Sequence, residues 1–259
     1  MGKKSGDWNA QQYLRFAKER TQPTIDLIHR LAIQHPRTIL DVGCGPGNST
    51  AQLALRYPGA EITGIDNSED MIARAKADYP ELAFQLRDIT QGGLPTASYD
   101  IVFSNAVIQW IPDHRRLLRN LFKLVKPGGV LACQLPMNHD EPSHRNLQEL
   151  AVSEKWKERF RDFRVLHTLS PSEYYDLFTI LTDHFSMWLT TYFHRMKGTH
   201  RYPRMVKGTR LRPYLTQLPD AERDDFEREL LERYIRDYHI QTDDRILLRF
   251  PRFFFVLRK

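Results

Sequence analysis

The chain has 259 residues, of which 41% are hydrophobic and 27% charged, and its formal charge is +6. This composition excludes disordered, collagen-like and low-complexity proteins and suits one large globular domain, or a core domain with an appendage. Because no apolar run approaches the roughly 18 residues of a membrane span and two cysteines are too few for a disulfide framework or a zinc site, we expect a soluble, cytoplasmic protein without a metal ion.

The first 36 residues precede the predicted sheet and are predicted to form one or two helices. Pro23 opens the second of them, as proline commonly does at the first position of a helix. Ile25, Leu27, Ile28 and Leu31 then form one apolar side.

Residues 37–136 alternate short apolar runs with segments of helical periodicity. The predicted strands are 38–42, 61–66, 82–86, 100–104 and 129–135. Ser68 and Asp113 have the side chains of N-caps and precede two of the predicted helices. Five strands alternating with helices within a hundred residues predict a doubly wound α/β sheet.

After Pro136 the regular alternation ends. Helical stretches are predicted near 144–163 and 171–183, and strands at 186–195 and 245–257, where Pro251 indicates a bulge, a sheet edge or a strand start. The residues between these two strands, 197–244, are predicted to form an inserted helical cap. Seven basic and no acidic residues lie between Arg195 and Arg212, which indicates an anionic partner, either nucleic acid or a small polyanion.

A glycine-rich motif follows the first predicted strand: Asp41-Val-Gly43-Cys-Gly45-Pro-Gly47. Dinucleotide-binding folds space their glycines as G-x-G-x-x-G so that a pyrophosphate meets the helix N-terminus. Here the third glycine comes one residue early and an acid precedes the first. This form resembles the first motif of class I S-adenosylmethionine-dependent methyltransferases. The resemblance implies a mostly parallel, seven-stranded, Rossmann-like sheet with helical cap insertions.

The same resemblance assigns a cofactor, S-adenosylmethionine, with S-adenosylhomocysteine as its product. Asp66 would accept hydrogen bonds from the ribose hydroxyls, and Asp88 would accept one from the adenine amino group, with Met71 and Ile89 packed on the ring. Asn105 and Ala106 would face the methionine part, and Trp110 would form a wall. The remaining implied cofactor residues are Asp41, Gly43, Cys44, Gly45, Gly47, Asn48 and Asn67.

The end of the fourth strand bears on the acceptor. Enzymes that methylate nucleobase amines usually carry Asn/Asp-Pro-Pro-aromatic there, whereas this chain has Asn105-Ala-Val-Ile-Gln-Trp110, which favours a small-molecule acceptor. Five further segments are spread over almost the whole chain: Asp7-Trp-Asn9, Gln109–His114, Thr190–His194, Leu211-Arg-Pro213 and Phe250-Pro-Arg252. They are similar to the trans-aconitate 2-methyltransferase family, which implies methyl-ester formation on a small polycarboxylic acid, trans-aconitate.

This resemblance implies three parts of the chain: an N-terminal lid (1–36), a cofactor-binding core (37–136), and a part (137–259) that holds the last strands and the substrate cap, at about 137–184 and 197–244. A carboxylate acceptor is already ionised, so no general base is required. The predicted charge clamp is Arg212 with Arg210, because arginine binds carboxylates bidentately. The other predicted acceptor-site residues are Trp8, Asn9 and Tyr13 on the lid, and Tyr192 and His194 on the sixth strand.

Two alternatives stay open. The acceptor could be another carboxylic acid, such as a fatty, carrier-bound or hormone-like acid. The protein could instead be a nucleic-acid-binding methyltransferase or a non-catalytic binder. Single-stranded nucleic acids are usually bound by several stacking aromatic side chains, and Tyr202 is the one such side chain between Arg195 and Arg212, which weakens this alternative. We expect neither a nucleic-acid nor a membrane partner, and the sequence predicts no oligomeric state.

Overall fold

A computed structural model describes residues 17–161, 166–197 and 211–259, without the side chains of residues 17–20, 197 and 212. Its centre is a seven-stranded sheet in the order β3-β2-β1-β4-β5-β7-β6. The strands are β1 Thr38–Val42, β2 Glu61–Asp66, β3 Ala83–Leu86, β4 Tyr99–Asn105, β5 Val125–Pro136, β6 Phe185–Lys197 and β7 Arg245–Arg258. Strands β1 to β5 pair in parallel, and β7 is antiparallel to both β5 and β6. The predicted doubly wound, mostly parallel sheet of seven strands is confirmed.

The described helices flank this sheet. They are α1 Ala17–His29, α2 Asn48–Arg56, α3 Glu69–Asp78, α4 His114–Leu124, α5 Pro142–Ala151, α6 Pro171–Leu181, α7 Arg212–Leu215 and α8 Asp220–Asp237, with 3-10 turns at Ile89–Gln91, Ile108–Trp110 and Lys157–Arg159. The Ser68 side chain accepts from the backbone N–H of Met71, and the Asp113 side chain accepts from that of Arg116. Both predicted N-caps are therefore confirmed.

Each face of the sheet is covered by helices, which explains why its central strands are apolar on both sides. On one face, α4 and α6 pack against a core that includes Leu131, Cys133 and Phe255. On the other face, α1 and α2 pack against Ile101 and Phe103. The described part of the N-terminal segment thus belongs to the packed sheet layer through Leu27, Ile28 and Leu31.

The described parts of the two predicted cap segments meet in one aromatic cluster beyond the sheet. Trp156 packs edge-on against Phe226 with ring centroids 5.1 Å apart, and Phe160 packs against the same ring at 5.2 Å. The Trp156 indole N–H donates to Glu229 of α8 at 3.0 Å. The cap therefore has its own buried core.

One predicted helix is shorter than expected. The stretch 144–163 was expected to be helical, but α5 ends at Ala151. A continued helix would place Glu154 and Glu158 on the face that Leu147 and Ala151 bury. The chain instead turns, so that the aromatic residues that follow enter the cap core.

Of the three alternatives expected for Pro251, the bulge and the strand start are wrong, whereas the sheet edge applies locally, because the register of β7 with β5 ends at Arg252. Pro251 lies inside β7, between two paired strands, in continuous register with Thr191 of β6. Its carbonyl accepts from Met137, one residue beyond the end of β5. A residue's N–H and C=O point to the same side of a strand, so the missing N–H of Pro251 faces the side where β5 has just ended, a position at which a strand tolerates proline.

Candidate active site

The turn from β1 into α2 is built from three glycines with positive φ. Gly43, Gly45 and Gly47 have φ of 70°, 55° and 92°, a region that favours glycine. A Cβ atom on Gly43 would lie 2.3 Å from a methyl group of Val107, whereas one on Gly45 would meet nothing within 4 Å. The turn is therefore packed on one side and open above Gly45.

Asp41 is a fully buried carboxylate at the end of β1. Its Oδ2 accepts hydrogen bonds from Ser49 Oγ at 2.6 Å and Thr50 Oγ1 at 2.7 Å. Its Oδ1 is buried and has no hydrogen-bond partner among the described residues. Burial raises the pKa of Asp41 to about 6, and the negative charge of Asp66 adds to the increase. An unpaired buried polar group costs roughly 1–3 kcal/mol, which a cationic or hydrogen-bonding ligand at Oδ1 would offset.

Asp66 joins the glycine turn to the start of α3. Its Oδ2 accepts from the backbone N–H of Gly45 at 3.0 Å, and its Oδ1 accepts from that of Ser68 at 3.0 Å. A carboxylate can accept about four hydrogen bonds, so the two protein donors leave acceptor positions for the predicted ribose hydroxyls.

A cavity of about 580 Å³ lies beyond the ends of β2 and β3. It is lined by Asn67, Leu86, Arg87, Asp88, Gln91, Gly92 and Gly93. The Oδ1 of Asp88 accepts from the backbone and the hydroxyl of Thr90, at 2.8 and 2.7 Å. The structure thus brings two predicted cofactor residues, Asn67 and Asp88, to one cavity.

The end of β4 forms the other side of the turn. Asn105 Oδ1 is buried without a hydrogen-bond partner in the described part of the chain. Ala106 has a positive φ of 58°, and its N–H donates to the carbonyl of Gln134 on β5 at 2.8 Å. Trp110 is 41% exposed at the end of the following 3-10 turn.

The other predicted cofactor residues surround this turn. Asn48 begins α2, and Met71 and Ile89 are half-buried. The Cys44 side chain packs with Ile72 and Phe84, and burial raises the pKa of its thiol. Cys44 therefore faces the site with its backbone only.

His114 holds the segment after β4 in place. It is buried, and its two ring nitrogens lie 2.6 Å from Tyr174 Oη and 2.8 Å from the carbonyl oxygen of Ile108. Burial lowers the pKa of His114, and only a ring N–H can bond a carbonyl, so Nε2 donates to Ile108 and Nδ1 accepts from Tyr174. Sequence reasoning missed this role because Tyr174 is 60 residues away.

The predicted acceptor residues on β6 already have contacts within the protein. The Tyr192 hydroxyl donates to Asp26 Oδ2 of α1 at 2.5 Å, and burial with the neighbouring Asp26 carboxylate raises the pKa of Tyr192. The His194 ring packs edge-on to Phe250 at 5.5 Å. Their roles toward an acceptor stay predictions.

Most of the predicted lid and clamp lies outside the described residues. This applies to Trp8, Asn9, Tyr13 and Arg210. Arg212 begins α7 directly after Leu211, which is buried in the cap core, but its side chain is also outside the described part. The lid and the arginine clamp stay predictions.

The described residues fit S-adenosylmethionine. The turn is open above Gly45, the buried oxygens of Asp41 and Asn105 lack protein partners, and the cavity at Asp88 can accept a nucleoside. Across ranges 17–161, 166–197 and 211–259, no group of three or more His, Cys, Asp or Glu side chains could hold a metal ion. None of the helices in these ranges has the length and apolarity of a membrane span.

Comparisons with known proteins agree with this geometry. A family model described as "Methyltransferase domain" matches residues 40–133. The chain is 42% identical over 261 residues to a trans-aconitate 2-methyltransferase from Methylobacterium radiotolerans, and 41% identical over 254 residues to one from Enterobacter sp. strain 638, with 98% of both chains covered in each case. Among solved structures, the YcgJ protein from Bacillus subtilis superposes with a TM-score of 0.59 at 16% identity over 92% of this chain and 99% of that one. That likeness shows the fold alone.

Proposed function

The chain belongs to the trans-aconitate 2-methyltransferase family of S-adenosylmethionine-dependent methyltransferases, and from this premise we propose that it forms a methyl ester on a carboxylate of trans-aconitate. The structural observation that carries the proposal is the buried carboxylate of Asp41, which has one oxygen without a partner in the described residues and lies on the strand that leads into the glycine turn. Such a site suits a compact cationic ligand at the switch point between β1 and β4.

The residues that would hold the cofactor come from four strand ends. Asp41 and the glycine turn would hold the methionine part together with Asn105, Asp66 would hold the ribose, and Asp88 the adenine. When bound, S-adenosylmethionine supplies a sulfonium methyl group: the acceptor oxygen bonds to the methyl carbon, the carbon–sulfur bond breaks and its electron pair stays on sulfur.

The protein's own task in this reaction is alignment rather than proton transfer. Carboxylic acids with a pKa near 4 are ionised at neutral pH, so the acceptor needs no general base. Both ring nitrogens of the buried His114 are engaged by Tyr174 and Ile108, which suits a positioning role. Holding two reactants in an attack geometry can contribute about 7–11 kcal/mol in the best intramolecular cases.

The second part of the proposal concerns the acceptor and the residues that would bind it. Arg212 and Arg210 would clamp its non-reacting carboxylates, and the segment carrying Trp8, Asn9 and Tyr13 would exclude water over the site. We assign the protein a small-molecule carboxylate partner and a cytoplasmic location on the same basis. A long-chain or carrier-bound acid is the competing acceptor.

A methyl-transfer assay with a labelled donor tests the proposal. We expect trans-aconitate to be turned over far better than dicarboxylates or fatty acids, with the label recovered as a base-labile ester. Arg212→Ala should remove about 2–5 kcal/mol of transition-state stabilisation, measured as a fall in kcat/KM for trans-aconitate. The binding of S-adenosylhomocysteine should stay unchanged. Arg228→Ala, at an exposed position of α8, is the control. Preferred turnover of a fatty acid would contradict the assignment of trans-aconitate.

A further inference from the structure

Three buried polar side chains lie at the β5–β7 end of the sheet. Gln134 and Asn138 are each 1% exposed, and Arg252 is 8% exposed. Both the oxygen and the nitrogen of each amide lack hydrogen-bond partners within the described residues. Buried amides in native proteins are almost always paired. Gln134 and Asn138 are such exceptions, and a bound ligand would supply their partners.

The strand register places Gln134 and Arg252 on one face of the sheet. Leu135 packs into the core on the opposite face, so Gln134 points away from that core, and Asn138 follows two residues beyond the end of β5. Arg252 of β7 pairs with Pro136, which lies midway between the two amides. Residues directly opposite each other in a sheet share a face. From end to end the cluster spans no more than about 14 Å.

The cluster begins beside the predicted methionine subsite. Gln134 pairs in register with Asn105 of β4, whose own buried oxygen lacks a hydrogen-bond partner in the described part of the chain. From there the cluster extends along β5 and β7, away from β1. A molecule bound to it would therefore lie next to the end of β4.

The charge of the cluster indicates an anionic ligand. Among the lysine and arginine side chains that the structure describes, only that of Arg252 is buried. Its guanidinium carbon lies 4.3 Å from the centroid of the Phe250 ring, which orients the guanidinium plane. Guanidinium and amide N–H groups together are donors for carboxylates.

We propose that Gln134, Asn138 and Arg252 form the binding site for the non-reacting carboxylates of the acceptor. The proposal rests on the proposed function, since it takes the acceptor to be a polycarboxylate. It adds one residue of β5, one that follows β5 and one of β7 to the arginine clamp expected from the cap. Several donors spread along this end of the sheet match a ligand whose carboxylates are separated by a few carbon atoms.

Near-isosteric apolar substitutions test the site without creating unpaired groups. The variants are Gln134→Met, Asn138→Leu and Arg252→Met, and the control is Gln148→Met at an exposed position of α5. Titration calorimetry of trans-aconitate into protein saturated with S-adenosylhomocysteine measures acid binding without turnover. Each of the three variants should bind the acid at least tenfold more weakly, and Arg252→Lys should recover part of the loss.

Two further readouts separate ligand binding from a structural role. Tm of the two amide variants should be unchanged or higher, because each loses a buried group that has no protein partner. The Kd of S-adenosylhomocysteine should stay within twofold of wild type. A lower Tm with unchanged acid binding would overturn the inference.

The outcomes distinguish the inference from the proposed function. If wild type methylates trans-aconitate and the variants bind it equally well, the inference fails and the function stands. If the acid binds and the variants lose it but no methyl is transferred, the carboxylate-binding site stands and the proposed function fails. If wild type does not bind trans-aconitate, both are overturned.

Discussion

The β1–β2 end and the β5–β7 end of the ligand-binding edge differ in how their polar groups are satisfied. At the β1–β2 end, Asp41 is bonded by hydroxyls eight and nine residues further along the chain, and Asp66 by backbone N–H groups. At the β5–β7 end, the amides of Gln134 and Asn138 have no partners among the described residues. At the first end the protein donates to each of these carboxylate oxygens, with Asp41 Oδ1 as the exception, whereas at the second end neither amide has a partner within the described residues.

This difference suggests a division of labour. All S-adenosylmethionine-dependent methyltransferases use the same methyl donor, so they can share a donor site that is formed by local sequence motifs. Acceptor specificity here would depend on β5 and β7, which are distant in sequence and meet through the register of Pro136 with Arg252. We therefore expect substitutions at the β1–β2 end to change the Kd of S-adenosylhomocysteine, and substitutions at the β5–β7 end to change the Kd of trans-aconitate.

The largest effect should come from the packed glycine of the turn. In Gly43→Ala the new Cβ meets Val107 in a left-handed backbone, and we expect a loss of about 2–5 kcal/mol in the free energy of unfolding. Gly45→Ala meets open space and should cost only about 1–2 kcal/mol, but should weaken S-adenosylhomocysteine binding at least tenfold. Chemical denaturation and calorimetry measure both quantities. Equal stability losses would contradict the asymmetry of the turn.

The methyl-donor site at the β1–β2 end was largely predictable from the sequence, because the motifs that form it are local. The bounds of β1 and β2 match the apolar runs at 38–42 and 61–66. Strand β5 begins at Val125, earlier than predicted, because Gly128 and Gly129 let the chain turn and pass close to Asp100. No motif identifies Gln134 or Asn138, since their burial depends on pairing with a strand from the other end of the chain.

An intermediate effect should come from Tyr174, whose long-range contact with His114 supports the segment after β4. Tyr174→Phe leaves Nδ1 of the buried His114 without its partner. This should cost about 1–3 kcal/mol in the free energy of unfolding and lower kcat/KM by loosening the 108–110 turn. The matched control is Tyr175→Phe at a 52% exposed site, which should stay within about 0.5 kcal/mol of wild type. Equal stability of the two variants would show that the His114 contact is dispensable.

The smallest effect should be a pH dependence confined to the donor end. The folded-state pKa of Asp41 is raised to about 6, so its ionisation costs the free protein stability above that pH, and its protonation favours the folded state below it. A cationic ligand binds the ionised form. S-adenosylmethionine affinity should therefore fall about tenfold from pH 7 to pH 5.

Two comparisons check the origin of this pH dependence. In Asp41→Asn the affinity should be weak and nearly constant over the same range. In Gln134→Met, at the acceptor end, the wild-type profile should persist. A wild-type affinity that does not change between pH 7 and pH 5 would remove Asp41 from the cofactor site.

The most direct test of the division between the two ends is a crystal structure of the ternary complex with S-adenosylhomocysteine and trans-aconitate. We expect the nucleoside product over the glycine turn, and carboxylates of the acid within hydrogen-bond distance of Arg252 and of at least one of the two buried amides. An acid held only by residues of the cap, with Gln134 and Asn138 still lacking partners, would contradict it.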